Sequence, residues 1–155
     1  MAVNRTPDAA TLRASSARGR ESRLSSAPAF YSCLMLPFPP STNNLFAGKA
    51  RRFTSKAYKA WQAEADHALL QQTPLPRFAD RVVMTLTFGR PDKRRRDLGN
   101  LEKAISDQLV KHGILADDSL IEVLMLAWGD VTGCMVEIEP FTELHARQQA
   151  ARFTA

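Results

Sequence analysis

Apolar residues recur at helical spacing in two stretches of the chain. The first stretch predicts an amphipathic helix over residues 55–72, with Ser55 as its N-cap and Pro74 beyond its end. The second predicts a helix over residues 98–112, for which Gly113 is a natural C-cap. The apolar faces, both expected in the core, are Tyr58, Trp61, Ala65, Ala68 and Leu69 in the first helix and Leu101, Ala104, Ile105 and Leu109 in the second.

Four other stretches have the pattern of β-strands. Residues 30–36 form an apolar run that Pro37 stops, and residues 81–88 alternate between two faces with the period of a strand. Residues 119–127 and 133–139 are two further strands, and the short connection between them predicts an antiparallel hairpin. The elements together predict an α+β fold, in which a small mixed or antiparallel sheet is packed by two main helices.

The length of the chain favours a single domain with tails. Its 155 residues, 45% of them apolar, suffice for one proper core. We assign residues 29–140 to this domain and expect residues 141–155 to be a tail with a short helix. Residues 1–28 are rich in Ala, Ser and Arg and lack periodicity, which predicts a disordered basic extension. A transit peptide is the alternative, but only Leu12 and Leu24 are available for its apolar face.

Cysteine usage and hydropathy exclude several classes of protein. Cys33 and Cys134 lie in apolar, strand-like runs without metal-ligand spacing, which predicts buried reduced thiols and no disulfide scaffold or zinc site. The longest apolar run, residues 123–128, is far shorter than the roughly 20 residues that cross a bilayer. We therefore expect a cytoplasmic protein without a membrane span.

The charge of the chain is unevenly distributed. The net charge is +5, and five cations occur without an acid among them from just before the first predicted helix into its first turns. These cations are Lys49, Arg51, Arg52, Lys56 and Lys59. Such polarity suits a protein that grips a polyanion with one region and binds a cation with another, although an ordinary solvated surface has similar composition.

A run of cations directly precedes an isolated carboxylate at the predicted start of the second helix. Arg94, Arg95 and Arg96 are followed by Asp97, and the acidic pair Asp117 and Asp118 comes about twenty residues later. Clustered cations suggest a phosphate contact, and clustered acids suggest a hard metal ion. Their combination indicates a phosphate held beside a divalent ion, as in a magnesium-dependent nuclease.

This segment resembles the RusA-type Holliday junction resolvases, in which a loop Pro-Asp-Lys/Arg-Arg-Arg-Arg-Asp-Leu-Asp-Asn opens the catalytic helix. Here the loop is Pro91-Asp92-Lys93-Arg94-Arg95-Arg96-Asp97-Leu98-Gly99-Asn100. The resemblance covers roughly residues 34–139 and includes the segment Leu36-Pro37-Phe38-Pro39-Pro40-Ser41-Thr42-Asn43-Asn44 and the Asp117-Asp118-Ser119 turn. It fails at Gly99, where the family has its second carboxylate.

The resemblance implies an endodeoxyribonuclease that resolves four-way DNA junctions in recombination and repair, with Mg²⁺ or Mn²⁺ as cofactor. It matches Asp97 and Asp118 to catalytic metal ligands, Asp117 to a supporting acid and Lys103 to a catalytic lysine. A junction presents two equivalent strands, so we expect a symmetric homodimer, associated with the nucleoid through DNA. The expected DNA contacts are Lys93, Arg94, Arg95, Arg96, Asn43, Asn44, Arg51, Arg52 and Lys56. For Asn43 and Asn44, turn formation is an equally good explanation.

Chain geometry permits Asp118 to return to Asp97. A helix over residues 98–112 spans roughly 22 Å, and six extended residues from Gly113 to Asp118 cover roughly 20 Å. The return segment is therefore just long enough. Otherwise the two acids would have to meet across a dimer interface.

Gly99 leaves two hypotheses open. An impaired nuclease is one, and a non-catalytic junction-binding protein with the same scaffold is the other. Glu102, one turn along the helix, could reach back to replace the missing carboxylate, whereas Asp107 lies two turns further and is a weaker candidate. No helix presents a face for sequence-specific readout, so recognition by DNA shape and phosphate charge is expected.

Overall fold

A computed structural model describes residues 32–48 and 53–153 of the chain. Three short 3₁₀ turns, at Thr42–Asn44, Leu98–Asn100 and Asp118–Leu120, accompany the strands and α-helices of this part. Those elements are β1 (Ser32–Leu36), β2 (Phe46–Ala47), β3 (Phe53–Thr54), α1 (Lys56–Leu70), β4 (Val82–Gly89), α2 (Glu102–Lys111), β5 (Ile121–Gly129), β6 (Cys134–Pro140) and α3 (Glu143–Phe153). The predicted extension at residues 1–28, together with Lys49, Arg51 and Arg52, lies outside the described residues.

The main sheet is mixed and has the strand order β1-β6-β4-β5. β6 pairs antiparallel with both β1 and β4, whereas β4 and β5 pair in parallel. Parallel neighbours need a long connection, and α2 supplies it, so that β4, α2 and β5 form a crossover unit. The predicted α+β fold is confirmed, and α2 is thereby fixed at the end of β4 from which the basic loop leaves.

The predicted hairpin of the last two strands is wrong, because β4 lies between β5 and β6. Their short connection crosses the end of β4 at Gly89, where an added Cβ would lie 1.6 Å from the carbonyl oxygen of Val131. The Gly89 amide donates to the Gly133 carbonyl at 2.9 Å, and Gly133 has a φ of +82°. Glycine at both positions therefore lets the chain pass over β4 instead of turning back on β5.

Both predicted helices are present, with small changes at their ends. Ser55 caps α1 by accepting a hydrogen bond from the Tyr58 amide at 3.0 Å. The second helix begins with the 3₁₀ turn Leu98–Asn100 before the α-helical part, and Gly113 ends it with a φ of +66°. The expected faces are buried at Tyr58, Trp61, Ala65, Leu69, Leu101, Ala104, Ile105 and Leu109, whereas Ala68 is half-buried.

The two cysteines differ in environment. Both are free, as predicted, but Cys33 is exposed on β1 and only Cys134 is buried. Cys33 points away from the core because side chains alternate along a strand, and its neighbours Leu34 and Leu36 occupy the buried face. Burial raises the pKa of the Cys134 thiol to about 12. Among the described residues, no helix has the length and apolar character that a bilayer crossing requires.

Candidate functional site

A groove of about 480 Å³ lies between the proline-rich loop after β1 and the basic loop before α2. The Thr42 hydroxyl joins the two loops by donating to the Asn100 carbonyl at 3.0 Å. The residues that line the groove are Phe38, Pro39, Pro40, Ser41, Asn44, Arg94, Arg95, Arg96, Asp97, Asn100 and Leu101. The fold thus brings Asn44, the three arginines and Asp97 together, although Asn44 lies far from the others in sequence.

Asp97 occupies the cap position of the 3₁₀ turn that leads into α2. Its backbone is extended, and its carboxylate accepts hydrogen bonds from the Gly99 amide at 3.0 Å and from the Asn100 side-chain amide at 3.2 Å. These two donors fix the orientation of an otherwise exposed carboxylate. Asp97 is therefore held at the position that the sequence pattern predicts.

Asp92 organises the basic loop. Its carboxylate accepts a hydrogen bond from the Arg94 amide at 2.8 Å and receives both terminal nitrogens of Arg96. The Arg96 guanidinium is the main reason that the pKa of Asp92 lies well below its usual range. Arg96 is thus largely neutralised by Asp92. Arg94 and Arg95 line the groove and are exposed to a phosphate, and the side chain of Arg94 is 84% exposed although its Nε lies 4.0 Å from Oδ2 of Asp92.

Aromatic and cation–π contacts anchor both ends of this loop. The Arg96 guanidinium lies 5.6 Å from the centroid of Phe38, and Phe38 stacks on Trp128 of β5 at 6.5 Å with an interplanar angle of 8°. Arg90 lies 4.2 Å from the Trp128 centroid. Cation–π contacts therefore attach residues 90 and 96 to the proline-rich loop and to the sheet.

A second cluster joins α2 to the turn that precedes β5. The Lys103 ammonium lies 2.8 Å from Oδ1 of Asp107 and 3.0 Å from Oδ2 of Asp118. Hydrogen bonds to Asp107 and then to Asp118 raise the pKa of Lys103 above its ordinary value, so that the lysine remains charged. Because Lys103 belongs to the first turn of α2, its contact with Asp118 means that the return segment runs back along the helix.

The side chains of Asp117 and Glu102 accept hydrogen bonds from residues close to them in sequence. Asp117 caps the 3₁₀ turn before β5 and accepts a hydrogen bond from the Ser119 amide at 2.9 Å, and its bonds with Ser119 lower its pKa. The Glu102 carboxylate accepts a hydrogen bond from the Ser106 hydroxyl, one turn further along α2. Glu102 is thus directed along the helix and not back toward Asp97.

The site offers few protein ligands for a divalent ion. Among the described residues, no three His, Cys, Asp or Glu side chains form a group that would hold a metal by themselves. A Cβ added at Gly99 would lie 3.5 Å from Oδ1 of Asp97, so a carboxylate at this position would be its direct neighbour. Mg²⁺ can be bound through one or two carboxylates with several waters retained, and the exposed carboxylates of Asp97 and Asp118 are of the type that it uses.

The remaining predicted contacts either do not line the groove or lie outside the described residues. Lys93 is exposed in the basic loop, and Asn43 is exposed beside Asn44, but neither lines the groove. Lys56 is exposed at the start of α1, next to Ser55, whose hydroxyl donates to the Asn44 carbonyl at 2.6 Å. Arg51 and Arg52 are outside the described part of the chain.

Two features of the site were missed from the sequence. Asp107 shares Lys103 with Asp118, and the only available signal was the four-residue spacing between Lys103 and Asp107 on one helix. The stacking of Trp128 on Phe38 joins distant segments, and no local pattern indicates it.

The chain is similar in sequence to known endodeoxyribonucleases. The family model described as Endodeoxyribonuclease RusA matches residues 37–139. The chain is similar to the proteins named crossover junction endodeoxyribonuclease RusA from Escherichia coli strain K12, Shigella sonnei strain Ss046 and Enterobacteria phage 82. Each is 32% identical over 89 residues, which cover 57% of this chain and 74% of the relative.

Proposed function

Because the chain belongs to the RusA family of endodeoxyribonucleases, we propose that it cleaves DNA at crossover junctions, at a rate reduced by the glycine at position 99. The observation that supports this proposal is the groove in which the arginine loop and Asp97 meet. Lys103 and Asp118 lie at the same end of α2. Cations that bind phosphate are thus combined with carboxylates suited to a hard metal ion.

Asp97 and Asp118 would hold Mg²⁺, or Mn²⁺ in its place, with Asp117 in support. When bound, the ion supplies a water of lowered pKa and neutralises charge on the phosphate. Arg94 and Arg95 bind neighbouring phosphates and hold the strand in the groove. Lys103 places its ammonium where charge develops on the attacked phosphate or on the departing oxygen.

Gly99 explains why we expect a slow enzyme. A hydrogen atom replaces the carboxylate that would contact Asp97, which leaves two acids for the cation. The cation is then held less tightly and less well oriented. Removal of a single preorganised charge-stabilising group commonly lowers catalytic rates by factors of about 100 to 1,000.

We infer the substrate class from the symmetry of a four-way junction and from the expectation that the protein does not read the base sequence of DNA. A four-way junction offers two equivalent strands, and a symmetric pair of subunits would present two sites to them. We propose that two copies pair along β5, which is an edge strand of the main sheet and exposes Leu124 and Met125. Such a dimer acts on cytoplasmic DNA and recognises the shape of the junction.

The test is a single-turnover reaction of the purified protein with a labelled four-way junction in Mg²⁺ or Mn²⁺. We expect slow nicking that Asp97→Asn abolishes, with little cleavage of duplex or single strands of the same sequence. The Asp97→Asn variant should still bind the junction, because the arginine loop is intact. If excess native protein bound the junction but never nicked it, the nuclease proposal would be wrong.

Gly99 also favours a second candidate function, a non-catalytic junction-binding protein. This alternative predicts junction binding that weakens with salt, that falls in the double variant Arg94→Gln/Arg95→Gln and that does not depend on a divalent ion. Equal, weak binding to junction, duplex and single strand would instead indicate a generic nucleic-acid-binding protein.

A further inference from the structure

We propose that Asp107 is a positioning residue that draws the Lys103 ammonium away from Asp118 and so leaves Asp118 free for a divalent cation. This inference rests on the proposed function, because it assumes that Asp118 is a metal ligand. Asp107 would then influence how tightly the ion binds. Lys103 would compete with the ion for Asp118 and would also stabilise charge on the phosphate during the reaction.

The competition follows from the distances. Lys103 is close enough to both acids to form an ion pair with either, at 2.8 Å from Asp107 and 3.0 Å from Asp118. The ammonium contacts Oδ2, one of the two oxygens that Asp118 can offer to a cation, and it repels a second positive charge. Binding of the ion is therefore favoured when Lys103 gives up Asp118 and keeps a single partner.

Asp107 is well placed to be that partner. It lies one turn after Lys103 on α2, so the pair has the favourable four-residue spacing. Its other oxygen, Oδ2, lies 3.5 Å from the hydroxyl of Tyr58, whose ring is buried on α1. Asp107 thus contacts residues of two helices. Asp118, in contrast, lies in a short turn, and its side chain is 49% exposed.

The arrangement keeps Lys103 near the reaction after the ion has bound. An ammonium that is paired with Asp107 remains close to Asp118. It can therefore still contact a phosphate that is bound beside Asp118. In an Asp107→Asn variant, Lys103 would pair with Asp118 alone. The ammonium and the ion would then compete directly for the same carboxylate.

The experiment measures Mn²⁺ binding without DNA, from the loss of the free-ion electron paramagnetic resonance signal. It uses the native chain and Gly99→Asp as two parents. We expect Asp107→Asn to weaken Mn²⁺ binding by about 3- to 10-fold in either parent. We also expect the added substitution Lys103→Gln to restore the affinity, because the competing ammonium is then absent. Asp130→Asn, which removes one exposed acid in the β5–β6 connection, is the matched control for charge.

Restoration of Mn²⁺ binding by Lys103→Gln distinguishes a role of Asp107 in positioning Lys103 from a role as metal ligand or in stabilising the fold. If Asp107 were itself a ligand, or if it only stabilised the fold, Lys103→Gln would not restore binding, and the proposal would be overturned. Unchanged binding in Asp107→Asn, or lack of Mn²⁺ binding in every variant, would overturn it as well. Circular dichroism and thermal melting confirm that each variant is folded.

Junction cleavage by the native protein decides the proposed function separately. Where cleavage occurs, Asp107→Asn should raise the Mn²⁺ concentration needed for half-maximal rate and leave most of the rate at saturating Mn²⁺. A loss of maximal rate without a change in the metal requirement would contradict the positioning role and leave the nuclease assignment intact.

Discussion

Gly99→Asp returns a third carboxylate to the start of the helix that contains Lys103. The structure accepts the side chain, because an added Cβ makes an ordinary contact of 3.5 Å with Oδ1 of Asp97. The glycines with positive φ in the described part of the chain are Gly48, Gly113 and Gly133, so the backbone at position 99 needs no left-handed conformation. The substitution therefore tests charge and metal binding without a packing defect.

The expected change in stability is small when no metal is bound. Replacing glycine reduces the freedom of the unfolded chain, which contributes about 0.4–1 kcal/mol, and an acid in the first turn adds about 0.3–1 kcal/mol. Repulsion between the carboxylates of residues 97 and 99 costs about 1 kcal/mol if they are about 4 Å apart in water. These contributions nearly cancel. The free energy of unfolding should stay within about 1 kcal/mol of that of the parent.

Divalent ions should affect Gly99→Asp more strongly than the parent protein. An ion that binds only the folded state stabilises it by about 2.7 kcal/mol at 100 times its dissociation constant, so Mg²⁺ or Mn²⁺ should raise the melting temperature of Gly99→Asp more than that of the parent. In single-turnover nicking of a labelled four-way junction with saturating protein, the variant should be faster by a factor of about 100 to 1,000. The control is Gly99→Asn, which has a similar shape without the charge.

Two results would refute this reasoning. Equal acceleration by Gly99→Asp and Gly99→Asn would mean that helix propensity, and not a metal ligand, limits the native protein. An unchanged nicking rate in a folded Gly99→Asp protein that binds the junction would mean that residue 99 is not part of the site.

Four further predictions concern other parts of the molecule. Trp128→Ala should weaken junction binding about 3- to 10-fold in fluorescence anisotropy, because Arg90 loses its stacking partner and the basic loop loses an anchor; unchanged affinity would exclude this role. Ellman's reagent at pH 8 should label Cys33 in the folded protein and Cys134 only after unfolding. The pKa of Cys134 is higher in the folded protein than in the unfolded chain, so the unfolded thiol ionises first as the pH rises. The free energy of unfolding should therefore fall between about pH 9 and about pH 12. Cys134→Ala should lose this part of the pH dependence. Met125→Lys on the exposed face of β5 should shift sedimentation from dimer to monomer, and an unaltered dimer would place the interface elsewhere.

The fold was predictable from the sequence wherever its signals are local. The buried faces of α1 and α2 follow the spacing of apolar residues, and Ser55 and Gly113 mark their ends by hydrogen bonding and backbone conformation. The pairing of β5 was not predictable in this way. A short connection normally favours a hairpin, and only the close approach of Val131 to Gly89 explains why the chain crosses over β4.

The candidate site also has parts with local sequence signals, which were predictable, and parts that depend on contacts between side chains, which were not. Asp97 and the arginines are contiguous in sequence. Helix length and chain reach permitted the return of Asp118 to the start of α2, where it contacts Lys103. Which cations remain available for DNA depended on side-chain pairing. Arg96 is occupied by Asp92 within the loop, and that pairing is one of several that the sequence alone permits.

The balance of charge is the reason that we expect the missing carboxylate to matter. Lys103, Asp107 and Asp118 form a cluster with a formal charge of −1, and Glu102 in the first turn of α2 and Asp97 before it are two further acids at this end of the helix. A divalent ion at Asp118 competes with Lys103 for the attraction of these acids. An acid at position 99, next to Asp97, would add one negative charge and favour the divalent ion over the singly charged ammonium. Gly99 and Asp107 therefore act on the same competition, and Asp107→Asn should weaken Mn²⁺ binding by a smaller factor in Gly99→Asp than in the native chain.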